Sequence, residues 1–121
     1  MAFLTGSTFP LSLIRRSVRI EPVTLEAYRR HLFLETWSSF WGHQNTLSCA
    51  NALTGVDLTP RIERPAVILN RDGFPTLNGI EYRDCWVLSP EYRPGFRPAI
   101  GQEVQASDIL GWQVLRIQWD N

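Results

Sequence analysis

The chain passes from loop to helix at Ser-Ser-Phe-Trp-Gly-His-Gln-Asn-Thr, residues 38–46. This junction places His43, one of two histidines in the chain, directly before an amphipathic segment. A helix N-terminus carries unpaired backbone N–H groups and the positive end of the helix dipole, so it attracts anions. A histidine changes its charge near neutral pH. The junction therefore predicts binding or chemistry on a phosphodiester; the alternative is a histidine that only caps or packs.

Two helices are predicted on either side of this junction. The second runs over residues 44–54, where apolar side chains form a stripe and Gly55 follows as the residue that ends the helix. The first runs over residues 25–35, and Thr24 is well suited to cap its N-terminus. His31 lies in the middle of that first helix and is expected to face solvent.

Strands are predicted where apolar residues alternate or run together, at residues 2–5, 17–21, 66–69, 85–88 and 112–119. Pro22 is expected to end the second strand, and residues 70–73 to form a turn before a long loop over 74–84. Three prolines within residues 89–98 predict irregular structure there, and residues 103–110 a short helix. The order predicts one α/β (α+β) domain over residues 1–121, with a mixed sheet of about five strands and helices packed on one face.

The equal numbers of acidic and basic residues indicate which kinds of ligand the chain can bind. Twelve basic and 12 acidic residues give a net charge of zero, which argues against a DNA or RNA polymer as partner. A small anion needs only a few local cations and remains compatible. Every basic residue is an arginine, which suits bidentate contacts to phosphate; codon bias in a GC-rich genome would produce the same composition.

Cysteine usage and hydropathy predict a soluble cytoplasmic protein. Cys49 and Cys85 lack the spacing of metal ligands and are expected to be reduced, buried thiols, with a disulfide as the alternative. The N-terminus lacks the basic and apolar regions of a signal peptide, and no apolar run approaches the roughly 20 residues of a membrane span.

The proline-rich segment supplies further candidate binding residues. Arg93 and Arg97 stand there together with Tyr92 and Phe96, a composition that suits a stiff cationic clamp or, alternatively, a surface loop with solvated arginines. Trp37 and Trp41 bracket the junction at 38–46 and could stack on bases or belong to the core. No nucleotide-binding glycine loop, zinc pattern or nucleophile elbow is present.

The chain resembles the viral ring nucleases, small anti-CRISPR proteins that degrade cyclic oligoadenylate second messengers. The resemblance rests on a Ser-x-x-Gly-His-x-x-Thr segment at residues 39–46, a Leu-x-Gly at 53–55, and an Asn-Arg-like pair, here Glu63 and Arg64, before a strand. Residues 4–7, Leu-Thr-Gly-Ser, match the loop after the first strand, and residues 18–21 match the second strand. The matching segments occur in the same order along nearly the whole chain.

The resemblance implies an α/β homodimer that holds one cyclic tetra-adenylate across its interface under a closing loop. It implies a metal-independent reaction without cofactor, in which a ribose 2′-hydroxyl attacks the adjacent phosphorus and His43 protonates the departing 5′-oxygen. The ligand contacts implied or predicted alongside are Gly6, Ser7, Gln44, Asn45, Thr46, Arg64 and Arg97. A viral protein of this kind would act in the cytoplasm of the host cell.

The chain departs from the family pattern at the residues expected to act together with His43 in catalysis. Ring nucleases carry an Arg-Leu-x-Glu-Gly-like segment near the scissile phosphate, whereas residues 91–95 read Glu-Tyr-Arg-Pro-Gly. Pro94 replaces the glutamate, so Arg93 or Arg97 is the candidate for the arginine role and Glu91 is the candidate for the acid role. Two alternatives to the nuclease follow. One is a cyclic-nucleotide sponge that binds without cutting. The other is a viral protein-interaction module whose anchors are partly exposed tryptophans, namely Trp37, Trp41, Trp112 and Trp119.

Overall fold

The computed structural model describes residues 2–120 as one α+β domain. The eight strands are β1 (Phe3–Gly6), β2 (Val18–Val23), β3 (Trp37–Ser39), β4 (Val67–Leu69), β5 (Pro75–Leu77), β6 (Ile80–Glu81), β7 (Asp84–Tyr92) and β8 (Ile109–Trp119). The two helices are α1 (Leu25–Leu34) and α2 (Gln44–Thr54), and short 3-10 turns occupy Leu11–Leu13 and Ala106–Asp108. Both helices were predicted within one residue of their observed ends.

Local capping explains why the helices begin and end at these residues. The Thr24 hydroxyl accepts the backbone N–H of Ala27 at 3.0 Å, which satisfies one free donor at the start of α1. Gly55 adopts the left-handed conformation after α2, with φ of 75°, and its N–H donates to the Asn51 carbonyl. These two predictions from sequence are confirmed.

The strands form a five-stranded mixed sheet in the order β2-β8-β7-β1-β3 and a three-stranded antiparallel sheet in the order β4-β5-β6. In the larger sheet β1 pairs in parallel with both β3 and β7, so the carboxyl ends of these three strands meet at one edge. The predicted mixed sheet of about five strands is confirmed.

Each face of the larger sheet is covered by a different layer. Both helices pack on one face, where the core contains Phe3, Tyr28, Leu32, Trp41, Leu47, Ala50, Leu58, Trp86, Leu88 and Val114. The smaller sheet covers the other face, where the core contains Leu4, Phe74, Leu77, Tyr82, Cys85, Val87, Ile117 and Trp119. The prediction of helices on one face is confirmed, and the second layer was not predicted.

Two prolines that were expected to break strands lie inside them. Pro22 belongs to β2 and pairs with Leu115, and Pro90 belongs to β7 and pairs with Trp112. The Asp120 N–H donates to Ser17 and the Trp119 N–H to Arg83. In an antiparallel pair, hydrogen-bonded and non-hydrogen-bonded residues alternate along each strand. Counted from Ser17 and from Arg83, Pro22 and Pro90 both fall at non-hydrogen-bonded positions, so their nitrogens point away from β8. Pro22 faces the open edge, and Pro90 lies beyond the end of β1, so neither removes a ladder hydrogen bond.

Other elements differ from the prediction because they depend on distant partners. Three short strands, β3, β5 and β6, were not predicted, and two of them occupy the expected 74–84 loop. A continuous apolar run such as residues 66–69 is typical of a buried strand, but β4 lies at the edge of the small sheet and Ile68 is 64% exposed. The helix expected over 103–110 is reduced to the turn Ala106–Asp108, and residues from Ile109 onward belong to β8.

A polar cluster lies between α1 and the start of β7. Arg116 makes two hydrogen bonds to Asp84, from Nε to Oδ1 at 3.0 Å and from Nη2 to Oδ2 at 2.9 Å, and the Trp86 indole donates to Oδ2 at 3.3 Å. His31 stacks on Trp86 with ring centroids 4.5 Å apart, and its Nε2 lies 3.8 Å from Oδ2. The expectation that His31 faces solvent is wrong, because its side chain is largely covered by these partners.

Breaking the charge pair in this cluster should destabilise the fold. Arg116→Leu leaves the Asp84 carboxylate largely buried without its cation, so we expect the free energy of unfolding to fall by about 3 kcal/mol. Urea denaturation measures this loss. The double variant Asp84→Leu/Arg116→Leu should lose less than the single variant, because no uncompensated charge remains; an equal or greater loss would contradict the argument.

His31 should make stability depend on pH. Burial first, and then the Arg116 guanidinium, lower the pKa of His31 below its usual 6.5, while the Asp84 and Glu35 carboxylates oppose them. The unfolded chain therefore binds more protons than the folded chain just below pH 6.5, so stability is lost as the pH falls through this value. Denaturation between pH 7.5 and 5.5 should show a shallower loss in His31→Gln; parallel curves would refute this assignment.

Candidate active site

The backbone of His43 is fixed by hydrogen bonds to its carbonyl oxygen. This oxygen accepts the Trp41 indole N–H at 3.0 Å, the Thr46 N–H at 3.1 Å and the Thr46 hydroxyl at 3.0 Å. Trp41 is fully buried in the helix-side core, and Thr46 is buried in the first turn of α2. His43 is the N-cap residue of α2, and its position follows from the packing of these neighbours.

The imidazole of His43 is oriented by a second contact. Its Nδ1 lies 2.6 Å from the Ser7 hydroxyl oxygen, and Ser7 is buried directly after β1. The Ser89 hydroxyl on β7 donates to the Ser7 carbonyl at 2.8 Å. The contact occupies Nδ1, and among residues 2–120 no group is hydrogen-bonded to Nε2. The ring is therefore held at one nitrogen, while the other remains available.

This arrangement lies at the edge where the parallel strands end. Ser7 follows β1, Ser89 lies near the end of β7, and the chain leaves β3 toward His43. Ligands of open α/β sheets bind in the crevice outside the carboxyl ends of the strands. The topology therefore places His43 where such folds bind ligands.

Three cavities border His43. A cavity of about 220 Å³ is lined mainly by hydroxyl-bearing residues, among them Ser7, Thr8, Thr46, Ser89 and Tyr92. A second, of about 550 Å³, lies between the start of α2 and the segment 98–101, and Tyr92 lines it too. A third, of about 240 Å³, extends along Phe40 and Val67 on the other side. His43 is exposed and reaches all three.

The start of α2 offers fewer donors than the sequence predicted. The Thr46 amide already donates to the His43 carbonyl, so it is not available to a ligand. The amides of Gln44 and Asn45 precede it in the first turn, and both residues line the larger cavity. An anion here would therefore meet two backbone donors beside the imidazole.

Gly6 packs directly against the Phe40 side chain. It is buried in β1, and a Cβ added to it would lie 2.7 Å from the Phe40 ring. Gly6 therefore brings β1 and the following Ser7 close to Phe40.

The remaining predicted site residues lie apart from these cavities. Arg93 is bound to Asp108, from Nε to Oδ1 at 3.1 Å, and its guanidinium lies over the Phe96 ring. Glu91, Arg64 and Arg97 are exposed and, like Arg93, are not among the residues that line the three cavities. Arg64 has a positive φ of 52°. The structure thus brings together Ser7, His43, Gln44, Asn45 and Thr46, but not the four charged residues.

Ser89 and Tyr92 are site residues that the sequence interpretation missed. Both lie in the part of β7 that was expected to be irregular because of its prolines. Recognising that strand through Pro90 would have placed Ser89 beside Ser7 and carried Tyr92 to the strand end. The sequence of residues 98–101 did not indicate that this segment borders the site. Its place beside α2 depends on a distant contact, in which the Val104 N–H donates to the Asn45 carbonyl.

Other predicted features have plain structural roles. Trp41 and Trp119 are buried, and Trp37 and Trp112 are half-buried, so the expected exposed tryptophan anchors are wrong for the first two. Cys49 and Cys85 are free, and burial raises the pKa of both thiols. Residues 2–120 contain no cluster of three or more His, Cys, Asp or Glu side chains that could hold a metal ion. Within the same residues, no helix has the length and apolarity needed to cross a membrane.

The fold and the site define a class: a small α+β domain with a histidine-containing crevice at the carboxyl ends of its parallel strands. The chain is similar in structure to B116 of Sulfolobus turreted icosahedral virus, with a TM-score of 0.58 over 98% of each chain and 15% sequence identity. At this identity the similarity establishes the fold. No protein-family model and no curated protein matches the sequence.

Removing the Ser7 hydroxyl should release the His43 ring. Ser7→Ala leaves Nδ1 without its partner, so we expect a loss of about 1 kcal/mol in the free energy of unfolding. The His43 imidazole resonances should also shift and broaden in NMR spectra. Ser12→Ala, which changes an exposed serine, is the matched control. Unchanged His43 resonances in Ser7→Ala would show that the contact does not orient the ring.

Proposed function

We propose that this protein is a ring nuclease that binds a cyclic oligoadenylate and opens it without a metal ion. The observation that carries the proposal is the Ser7–His43 contact of 2.6 Å, which holds Nδ1 and leaves Nε2 of a cavity-lining histidine without a hydrogen-bond partner among residues 2–120. The similarity to B116 supports a viral origin, because that neighbour comes from a virus. Such a protein would act in the cytoplasm of the infected cell and counteract CRISPR signalling.

The proposed reaction uses groups that the ligand itself supplies. A ribose 2′-oxygen forms a bond to the neighbouring phosphorus, its proton passes to water, and the bond from phosphorus to the 5′-oxygen breaks. His43 gives a proton from Nε2 to that departing oxygen. The products are a 2′,3′-cyclic phosphate and a 5′-hydroxyl. The nucleophile is already tethered to its target, so correct positioning supplies much of the rate.

The residues around His43 suit the remaining tasks. The amides of Gln44 and Asn45 can hold a non-bridging phosphate oxygen, and their fixed dipoles favour developing negative charge there. A positioned general acid contributes roughly 10²–10⁴-fold to a rate. The roles of Arg93 and Glu91 stay predictions; Arg93 would have to leave Asp108 to reach a ligand at His43.

A second copy of the chain belongs to the same proposal. The three cavities are open to solvent, and one cyclic ligand shared by two chains would cover more of this surface than one chain alone. The expected stoichiometry is one cyclic tetra-adenylate per two chains. Calorimetric titration measures this ratio directly.

A non-cutting sponge is the second candidate function. It is favoured by one observation: the cavities next to His43 are lined by no aspartate, glutamate or arginine. A nuclease would need His43 and the ligand alone to provide the proton transfers. The protein-interaction module is less well supported, since two of the tryptophans expected to serve as anchors are buried.

Incubation with labelled cyclic tetra-adenylate in EDTA distinguishes these functions. We expect linear products ending in 2′,3′-cyclic phosphate, formed at a rate that is at least about 10²-fold lower in His43→Ala than in the wild type. His31→Gln changes the other histidine, outside these cavities, and should cleave at nearly the wild-type rate. Tight binding with full recovery of intact ligand would establish the sponge, and no binding of any cyclic oligoadenylate would rule out both.

A further inference from the structure

Tyr92 lines two cavities, one lined mainly by hydroxyl-bearing side chains and one with more apolar side chains. It lines the smaller cavity together with the hydroxyls of Ser7 and Ser89, and it lines the larger cavity together with Pro98 and Ile100. The smaller cavity therefore offers polar groups suited to phosphate and ribose. The larger cavity offers apolar groups suited to a base.

The strand end positions this ring. The pairing of β7 with β8 shifts its register between Glu91 and Tyr92, where Tyr92 pairs with Ile109. Such β-bulges bend a strand and redirect a side chain, and they are frequent next to ligand sites. Tyr92 is half-buried, and the Phe96 ring supports it with centroids 5.4 Å apart.

The segment after Tyr92 is held in place without a ligand. Arg93 is bound to Asp108 through both its backbone N–H and its guanidinium, and Val104 is bound to Asn45 on α2. The Cys49 thiol also donates to the Val104 carbonyl at 3.2 Å. The segment that carries the wall of the larger cavity is therefore tied to the fold on both sides, at Arg93 and at Val104.

Two further observations point to a base as the group that enters the larger cavity. Its volume of about 550 Å³ exceeds that of a single purine ring system, and it begins at His43. Ile100 is fully exposed at its border, an apolar side chain that a flat ring would cover. Burial, and secondarily Cys49, raise the pKa of Tyr92, so its phenol stays neutral and does not repel a phosphate.

We propose that Tyr92 is a specificity-determining residue whose ring stacks on a purine base of the ligand, next to the phosphate held at His43. The inference rests on the proposed function and assigns one of its subsites. Aromatic stacking is stronger for the larger purine ring than for a pyrimidine, so the same contact gives a preference for adenine over uracil. The phenol oxygen is not needed for this role.

The test is calorimetric binding of two probes, cyclic tetra-adenylate and cyclic tetra-uridylate, which carry equal charge. All titrations use the His43→Ala background, which prevents turnover. Tyr92→Leu should weaken binding of the adenylate by about tenfold or more, since stacking on one base accounts for roughly 5- to 150-fold in affinity. Tyr92→Phe should stay within about threefold of the parent. The preference for adenylate over uridylate should collapse in Tyr92→Leu only.

The controls separate failure of this inference from failure of the proposed function. Phe33→Leu changes an aromatic side chain that is 87% exposed on α1 and should leave both affinities unchanged. Thermal unfolding confirms that each variant is folded. If neither the parent nor the wild-type protein binds either probe, the proposed function fails. If the parent binds cyclic tetra-adenylate and Tyr92→Leu binds it equally well, only the stacking role is overturned. Equal losses in Tyr92→Phe and Tyr92→Leu would also overturn it, because the ring would not be the binding element.

Discussion

The hydrogen bond from the buried Trp41 indole to the His43 carbonyl links the hydrophobic core to the crevice. Trp41 has no freedom to move, since it is fully enclosed among residues of both helices and the sheet. The same carbonyl accepts two donors from Thr46, so the start of α2 is held at this point as well. The position of the imidazole is thus a consequence of core packing. A change in the helix-side core would move the site even if no site residue were altered.

The sequence correctly predicted the two helices, because the residues that start and end a helix lie next to it in the chain. Thr24 and Gly55 act on the residues next to them, and an amphipathic repeat reports which face of a helix is buried, so α1 and α2 were found with their ends. Strands β3, β5 and β6 are two or three residues long and exist only because a partner strand lies beside them. A sequence pattern of only three residues cannot predict which partner strand will lie beside them.

The same reasoning explains what was found of the site and what was missed. His43 and its neighbours are consecutive in the chain, so a helix N-terminus was visible in the sequence. Ser89 and Tyr92 are brought there by β7, which was expected to stop before Pro90. A proline breaks a strand only where its nitrogen faces a partner, and that depends on which strands lie on either side. The charged residues Arg93 and Asp108 bind each other across the end of the sheet, a pairing that composition alone does not specify.

The neutral charge of the chain also fits the architecture of the crevice. Hydroxyls, backbone amides and one imidazole line the region next to His43, and the arginines lie elsewhere. Such a surface discriminates by the placement of individual donors rather than by a broad positive field. Its affinity for a charged ligand would depend less on salt than that of an arginine-lined groove.

The contact between Gly6 and Phe40 has a consequence for how the protein can evolve. Any side chain at position 6 would meet the Phe40 ring, and a smaller residue at position 40 would leave a gap beside β1. Substitution at either site alone is therefore unfavourable, while a larger residue at 6 combined with a smaller one at 40 conserves the volume. Lineages that carry this domain should change the two positions together. Ser7 follows Gly6 directly and contacts His43, so paired changes at positions 6 and 40 would also limit how much the sequence around this histidine can vary.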